Sequence, residues 1–189
     1  MEGTNTPNQT KSRKLKSPLY LDLLINGNDI ALSSVVVRKS IYLQVGGMNE
    51  SPKFAVIGGG SWATAIAKML CVNLDEIAWY MRNESAIDHL KTQKHNPNYL
   101  SSVEFDTNKL KLTADINEAV AYADYIIFAI PSAFLSTELE KLTVSLENKV
   151  IFSAIKGIVP ETFLIVGEHF HQKFDIPYEN IGVITGPCH

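Results

Sequence analysis

Gly58, Gly60 and Ala63 occupy the three constrained positions of a G-x-G-x-x-A pattern inside the stretch AVIGGGSWATAIAKML, residues 55–70. At that spacing the chemistry on offer is the cradling of phosphate. The first glycine permits a tight turn out of a strand. The second has no side chain, so an anionic diphosphate can approach the backbone closely. The small third residue lets the following helix pack against the strand. That helix directs its unpaired N–H groups and the positive end of its dipole at the anion. A glycine pattern alone is weak evidence, because it can simply reverse the chain. This one follows an apolar run, KFAVI (53–57), and opens an amphipathic helix, which makes a dinucleotide pyrophosphate site the stronger reading.

Two charged residues extend the pattern. The end of the second strand of such a unit separates NAD from NADP, an acid binding the ribose hydroxyls and a base accommodating a 2′-phosphate. Here it reads WYMRNES, with Arg82 just beyond Met81 and Glu84 already in the next helix. An arginine fork suits a phosphate, so NADP(H) is favoured, with NAD(H) as the alternative. Lys156 ends the run KVIFSAIK, where an ammonium can neutralise a substrate oxygen or phosphate and polarise a carbonyl. His95, in a polar turn, and His189, at the last position, are weaker acid–base candidates. Cys71 reads as a small buried apolar residue at a helix end. Trp62 resists assignment to the core, since Ala63, Ile66 and Ala67 already fill the inward helix face.

The elements that must position these residues alternate along the chain. Strands are expected at 53–57, 76–81, 109–113, 125–130, 149–155 and 181–185. Helices are expected at 61–71, 84–93, 116–123, 133–142 and 161–174, the last presenting Phe163, Gly167, Phe170 and Phe174 on one face. Asp115 can cap the third helix. HNPNYL (95–100) is a turn, because Pro97 forbids a helix there and Asn96 favours chain reversal. YIIFAI (125–130) is apolar throughout, hence buried on both faces, and Pro131 stops it. Such alternation predicts an α/β fold: a doubly wound parallel sheet covered by helices on both sides, of the Rossmann type, over residues 52–189.

Composition narrows the classes further. The 189 residues are 46% apolar and 20% charged, ordinary for a globular protein. A formal net charge of −3 gives no pull toward nucleic acid or an anionic membrane. No apolar stretch is long enough for a spanning helix. Cys71 and Cys188 are far apart and in no metal-like spacing, which suits a reducing, cytoplasmic setting and excludes a disulfide scaffold. Residues 1–47 hold six basic side chains against three acidic, net +3, leaving −6 for the rest. The polar first nineteen residues, with Pro7 and Pro18, read as disordered, and Met48 looks like a natural beginning. Residues 1–51 are therefore expected to be an N-terminal extension without a packed role.

The blocks GGGSWATA, HNPNYL, AIKGIVPE and ITGPCH occur in an order and at separations that resemble the NAD(P)-dependent glycerol-3-phosphate dehydrogenases, especially their bacterial branch, from about Lys53 to His189. The resemblance implies hydride transfer between NAD(P)H and dihydroxyacetone phosphate, giving sn-glycerol 3-phosphate for glycerophospholipid synthesis. It places Ser61 and Trp62 against the pyrophosphate and nicotinamide side, and Arg82 near the adenosine phosphate. It has Tyr99 help close the cofactor site, and Lys156 reach both cofactor and substrate. Gly186 and Cys188 match positions that contact glycerol 3-phosphate, although many relatives carry a hydroxyl residue where Cys188 stands. In the family the general-base lysine belongs to a helical domain that follows, so it is expected beyond His189, and no catalytic residue is assigned within these residues. A homodimer is expected of the full-length form. Two alternatives stay open: a non-catalytic dinucleotide-binding module, and another β-hydroxyacid-type dehydrogenase.

Overall fold

A computed structural model describes residues 52–185 of the chain. The expected extension at 1–51 lies outside the described residues, as do Gly186, Cys188 and His189. Six strands, β1 (Phe54–Ile57), β2 (Ile77–Tyr80), β3 (Leu110–Thr113), β4 (Tyr125–Phe128), β5 (Val150–Ser153) and β6 (Ile181–Val183), form one sheet in the order β3-β2-β1-β4-β5-β6. Every neighbouring pair is parallel. The crossovers carry helices α1 (Ser61–Asn73), α2 (Glu84–Gln93), α3 (Ile116–Tyr122), α4 (Ser132–Leu139) and α5 (Val166–Phe174). The expected doubly wound fold is the observed one.

The two faces of the sheet follow from the period-2 alternation of strand side chains. Phe54, Val56, Ile77 and Trp79 face one side, where α1 contributes Ala63, Ile66, Ala67 and Leu70, and α2 contributes Ala86, Ile87 and Leu90. Ala55, Ile57, Ala78 and Tyr80 face the other, against Ala119 and Val120 of α3, Leu135 and Leu139 of α4, and Phe170 of α5. β1 and β4 are central and buried on both sides, whereas edge strand β3 is only half covered. Trp79, Phe128 and Phe170 are fully buried, each worth about 1.5–3 kcal/mol of apolar transfer.

Local signals set the helix starts. The Asn83 carboxamide oxygen accepts from Ala86 N–H at 3.3 Å and opens α2. The Asp115 carboxylate accepts from Asn117 N–H at 2.8 Å and opens α3, as its position predicts. Two expected helices are shorter in the structure. α4 ends at Leu139 rather than 142. α5 begins at Val166 rather than 161, because residues 158–165 fold back on themselves. Ile158 bridges Ile165, Val159 N–H donates to Leu164 O at 2.9 Å, and Phe163 N–H donates to Val159 O at 2.8 Å. Phe163 takes a left-handed φ of 57° and is 78% exposed, so it does not share a face with Phe170.

Candidate functional site

The chain order reverses between β1 and β4, and at such a switch point the crossovers leave in opposite directions and open a crevice beyond the carboxyl ends of the strands. Gly58 leaves β1 there with φ +137°, a region closed to side chains. A Cβ on Gly58 would lie 2.4 Å from the Ala129 carbonyl oxygen, so the turn is pressed against the end of β4. Gly60 is different. It precedes α1 in ordinary extended backbone, and a Cβ there would meet nothing within 4 Å. The open space beside Gly60 is the face a ligand would approach. Ala63 is fully buried and brings α1 down onto the sheet.

Three side chains hold the three glycine carbonyls inward. The Trp79 indole N–H donates to Gly58 O at 2.7 Å. The Asn96 amide donates to Gly59 O at 3.1 Å. Thr64 donates to Gly60 O through its hydroxyl at 2.8 Å and its backbone N–H at 2.9 Å. The described peptide bonds are trans, so the N–H following each carbonyl points the opposite way. The amides of Gly59, Gly60 and Ser61 are thereby turned to the crevice side. No side chain caps α1, whose first intrahelical bond is Thr64 N–H to Gly60 O. The N–H groups of its first turn join the same cluster, at the positive end of the helix. Such a row of donors binds oxyanions. It lacks any group that would transfer a proton.

The other expected residues differ in burial and in partners. Ser61 is exposed at the start of α1. Trp62 departs from expectation: it is partly buried and packs against the α1/α2 face of the core. Arg82 follows β2, with its guanidinium 5.2 Å from the Phe134 ring centroid and 3.9 Å from the Glu138 carboxylate. Glu138 is buried, accepts from Tyr80 at 2.5 Å and binds Lys141 through both oxygens at 2.9 Å. Burial, followed by this carboxylate, pushes the Tyr80 hydroxyl well above the usual phenol range. Tyr99 is 46% exposed in the turn after α2. Lys156 is exposed beyond β5, next to Gly157 at φ +87°. His95 sits edge-on to His89, 4.8 Å between ring centroids. Cys71 is buried, and burial raises its thiol to about 11. A cavity of about 650 Å³ lies elsewhere, lined by residues that precede β5 and β6, at the opposite strand ends from the crevice.

Sequence reasoning missed the residues that shape the turn: Trp79, Asn96 and the Thr64 hydroxyl. Trp79 and Asn96 are distant in sequence from the carbonyls they hold, and no local pattern marks them. Sheet order, switch-point crevice and outward-facing amides together define a dinucleotide-binding α/β domain of the Rossmann type.

The family described as the N-terminus of NAD-dependent glycerol-3-phosphate dehydrogenase matches residues 53–189, and the chain belongs to it. A glycerol-3-phosphate dehydrogenase [NAD(P)+] of Tropheryma whipplei is 36% identical over 157 residues, covering 82% of this chain and 44% of that protein. Its counterpart in Pseudomonas aeruginosa strain LESB58 is 34% identical over 140 residues, covering 74% of this chain and 40% of that one. The chain thus spans less than half the length of these relatives. The crystal structure of glycerol-3-phosphate dehydrogenase from Coxiella burnetii shares the fold with a TM-score of 0.61 at 22% identity, covering 72% of this chain and 41% of that one. No described helix is long and apolar enough to cross a membrane.

Proposed function

We propose that the chain is the cofactor-binding part of a glycerol-3-phosphate dehydrogenase that interconverts dihydroxyacetone phosphate and sn-glycerol 3-phosphate. The observation that carries this reading is the glycine turn, whose three carbonyls are all bonded into the protein, so that the N–H groups following them, those of Gly59, Gly60 and Ser61, point the other way. The fit to a dinucleotide is physical: the open space at Gly60 admits a diphosphate, and the donors complement its charge. Gly58, Gly60, Ser61, Trp62 and Ala63 form or flank that cradle. The family resemblance assigns Tyr99, in the turn after α2, to closing the cofactor site. A nicotinamide dinucleotide, when bound, supplies the hydride. Arg82 supports NADP(H) over NAD(H), because its fork suits a 2′-phosphate. Lys156, beyond the interior parallel strand β5, holds a substrate oxygen or phosphate as charge develops on it. Gly186 and Cys188 complete the substrate contacts. The general-base lysine and most of the phosphate clamp belong to the family's helical domain, and the whole enzyme works as a cytoplasmic homodimer.

Calorimetric titration with NADPH and NADH tests the reading. Saturable heat with either nucleotide is expected, and no heat at millimolar excess over folded protein overturns it. NADPH binding more tightly than NADH is the expected order, and the reverse order removes the assignment of Arg82.

A further inference from the structure

The glycines that open the cradle also leave it poorly restrained. A peptide between Gly59 and Gly60 can rotate at little cost, since neither residue resists positive φ. Rotation would swap an outward N–H for an outward carbonyl and turn an anion site into a repulsive one. Something must fix that peptide.

Asn96 is placed to do so. Its side chain is fully buried, yet both amide donors are used. One goes to Gly59 O at 3.1 Å and the other to the Thr64 hydroxyl at 2.9 Å. Its oxygen accepts from Asn98 N–H at 3.0 Å. Gly59 O can only accept and Asn98 N–H can only donate, so the orientation of the carboxamide is determined. The Thr64 hydroxyl, having accepted from Asn96, gives its own proton to Gly60 O at 2.8 Å. One buried amide therefore governs two successive carbonyls, one directly and one by relay, in a chain whose members polarise each other.

We propose that Asn96 is a positioning residue of the diphosphate cradle, setting the direction of the Gly60 and Ser61 amides through the carbonyls of Gly59 and Gly60. The proposal rests on the dinucleotide reading above. It also explains why a polar side chain is buried against the core in an otherwise exposed turn: desolvating the carboxamide is compensated only by these bonds.

The test titrates the 189-residue chain and its variants with NADPH and NADH. Asn96→Asp keeps the shape but cannot donate, and sets an oxygen against Gly59 O. A weakening of both nucleotides by at least about tenfold is expected, since losing a buried hydrogen bond leaves an unsatisfied group. Thr64 supplies a second arm in case the Asp variant unfolds. Thr64→Val preserves volume and breaks the relay, whereas Thr64→Ser preserves the relay and loses a methyl. Positioning predicts that Val weakens NADPH more than Ser does when both variants are titrated well below their unfolding transitions. Ser weakening NADPH as much as Val, with affinity following stability, overturns the proposal and leaves Thr64 a packing residue. Wild-type chain that binds NADPH beside variants of unchanged affinity overturns the role of Asn96 alone. Wild-type chain that binds neither nucleotide overturns the reading beneath it.

Discussion

Arg82 Nη1 stands 3.9 Å from a carboxylate oxygen of buried Glu138, with the guanidinium over the ring of Phe134. The base expected to meet a 2′-phosphate is thus partly answered by the protein's own anion, shared with Lys141. Replacing Glu138 by Gln keeps an acceptor for Tyr80 and removes the charge. A unit charge a few ångströms from a solvated phosphate is worth on the order of 0.5–1 kcal/mol in water, so affinity for NADPH over NADH should rise roughly two- to fivefold. The gain should shrink as salt is added. Parallel titrations with both nucleotides at low and high ionic strength check it, and an unchanged ratio shows that Glu138 does not temper Arg82.

Gly58 and Gly60 separate stability from binding. Gly58→Ala forces a side chain into φ +137° and against Ala129 O, so unfolding should become easier by about 2 kcal/mol or more. Gly60→Ala meets neither obstacle, and its stability should change by about 0.5 kcal/mol or less. Its methyl fills the space the diphosphate needs, and NADPH affinity should fall at least about tenfold. Thermal unfolding and nucleotide titration of the two variants should therefore give opposite rankings. Equal losses in both assays would show that Gly60 is only a turn residue.

His169 makes the fold sensitive to acid. It is 2% exposed, its Nδ1 faces the Thr162 hydroxyl at 3.3 Å, and its Nε2 is buried without a partner. Burial, then the charge of Lys173, depresses its pKa below the ordinary imidazole value, with Glu161 opposing. The folded state therefore resists a proton that the unfolded chain accepts. The associated stability is present above about pH 6.5, the unfolded value, and is lost as pH falls toward the folded pKa. Melting temperatures of wild type and His169→Gln, followed from pH 7.5 down to pH 5, should show a shallower acid decline in the variant. Parallel curves would assign the acid sensitivity to other groups.

Much of this was legible because it is local. Buried parallel strands are continuous apolar runs, Asp115 precedes its helix in capping position, and the glycine pattern sits at a strand-to-helix junction. Periodicity misleads at Phe163, whose spacing to Phe170 suggests a shared helical face. There a left-handed turn and a hairpin-like closure outcompete the helix until Val166. Trp62 packs against the core although Ala63, Ile66 and Ala67 already fill the inward helix face, because counting positions on one face leaves out the size of an indole. Asn96 is legible as a turn former but not as the holder of Gly59. That contact joins residues 37 positions apart, and only the folded sheet brings them together.

Lys109 shows the same long-range logic at the other end of the cradle helix. α1 has no basic residue in its last turn. Lys109 arrives from a 3-10 turn before β3 and donates to Cys71 O at 2.9 Å and Leu74 O at 3.1 Å. A cation on the final carbonyls satisfies groups that the helix cannot pair and complements the negative end of its dipole. Lys109→Met retains the aliphatic stem and removes the charge, so stability should fall by about 1–2 kcal/mol. The dipole acts mainly within the terminal turn, and α1 is thirteen residues long, so the amides at its start should not feel the change. Denaturant unfolding should thus register the loss while NADPH affinity, measured well below the unfolding transition, stays at the wild-type value. A matching drop in affinity would mean that α1 transmits strain along its whole length, and the two ends of the helix would then have to be treated as one site.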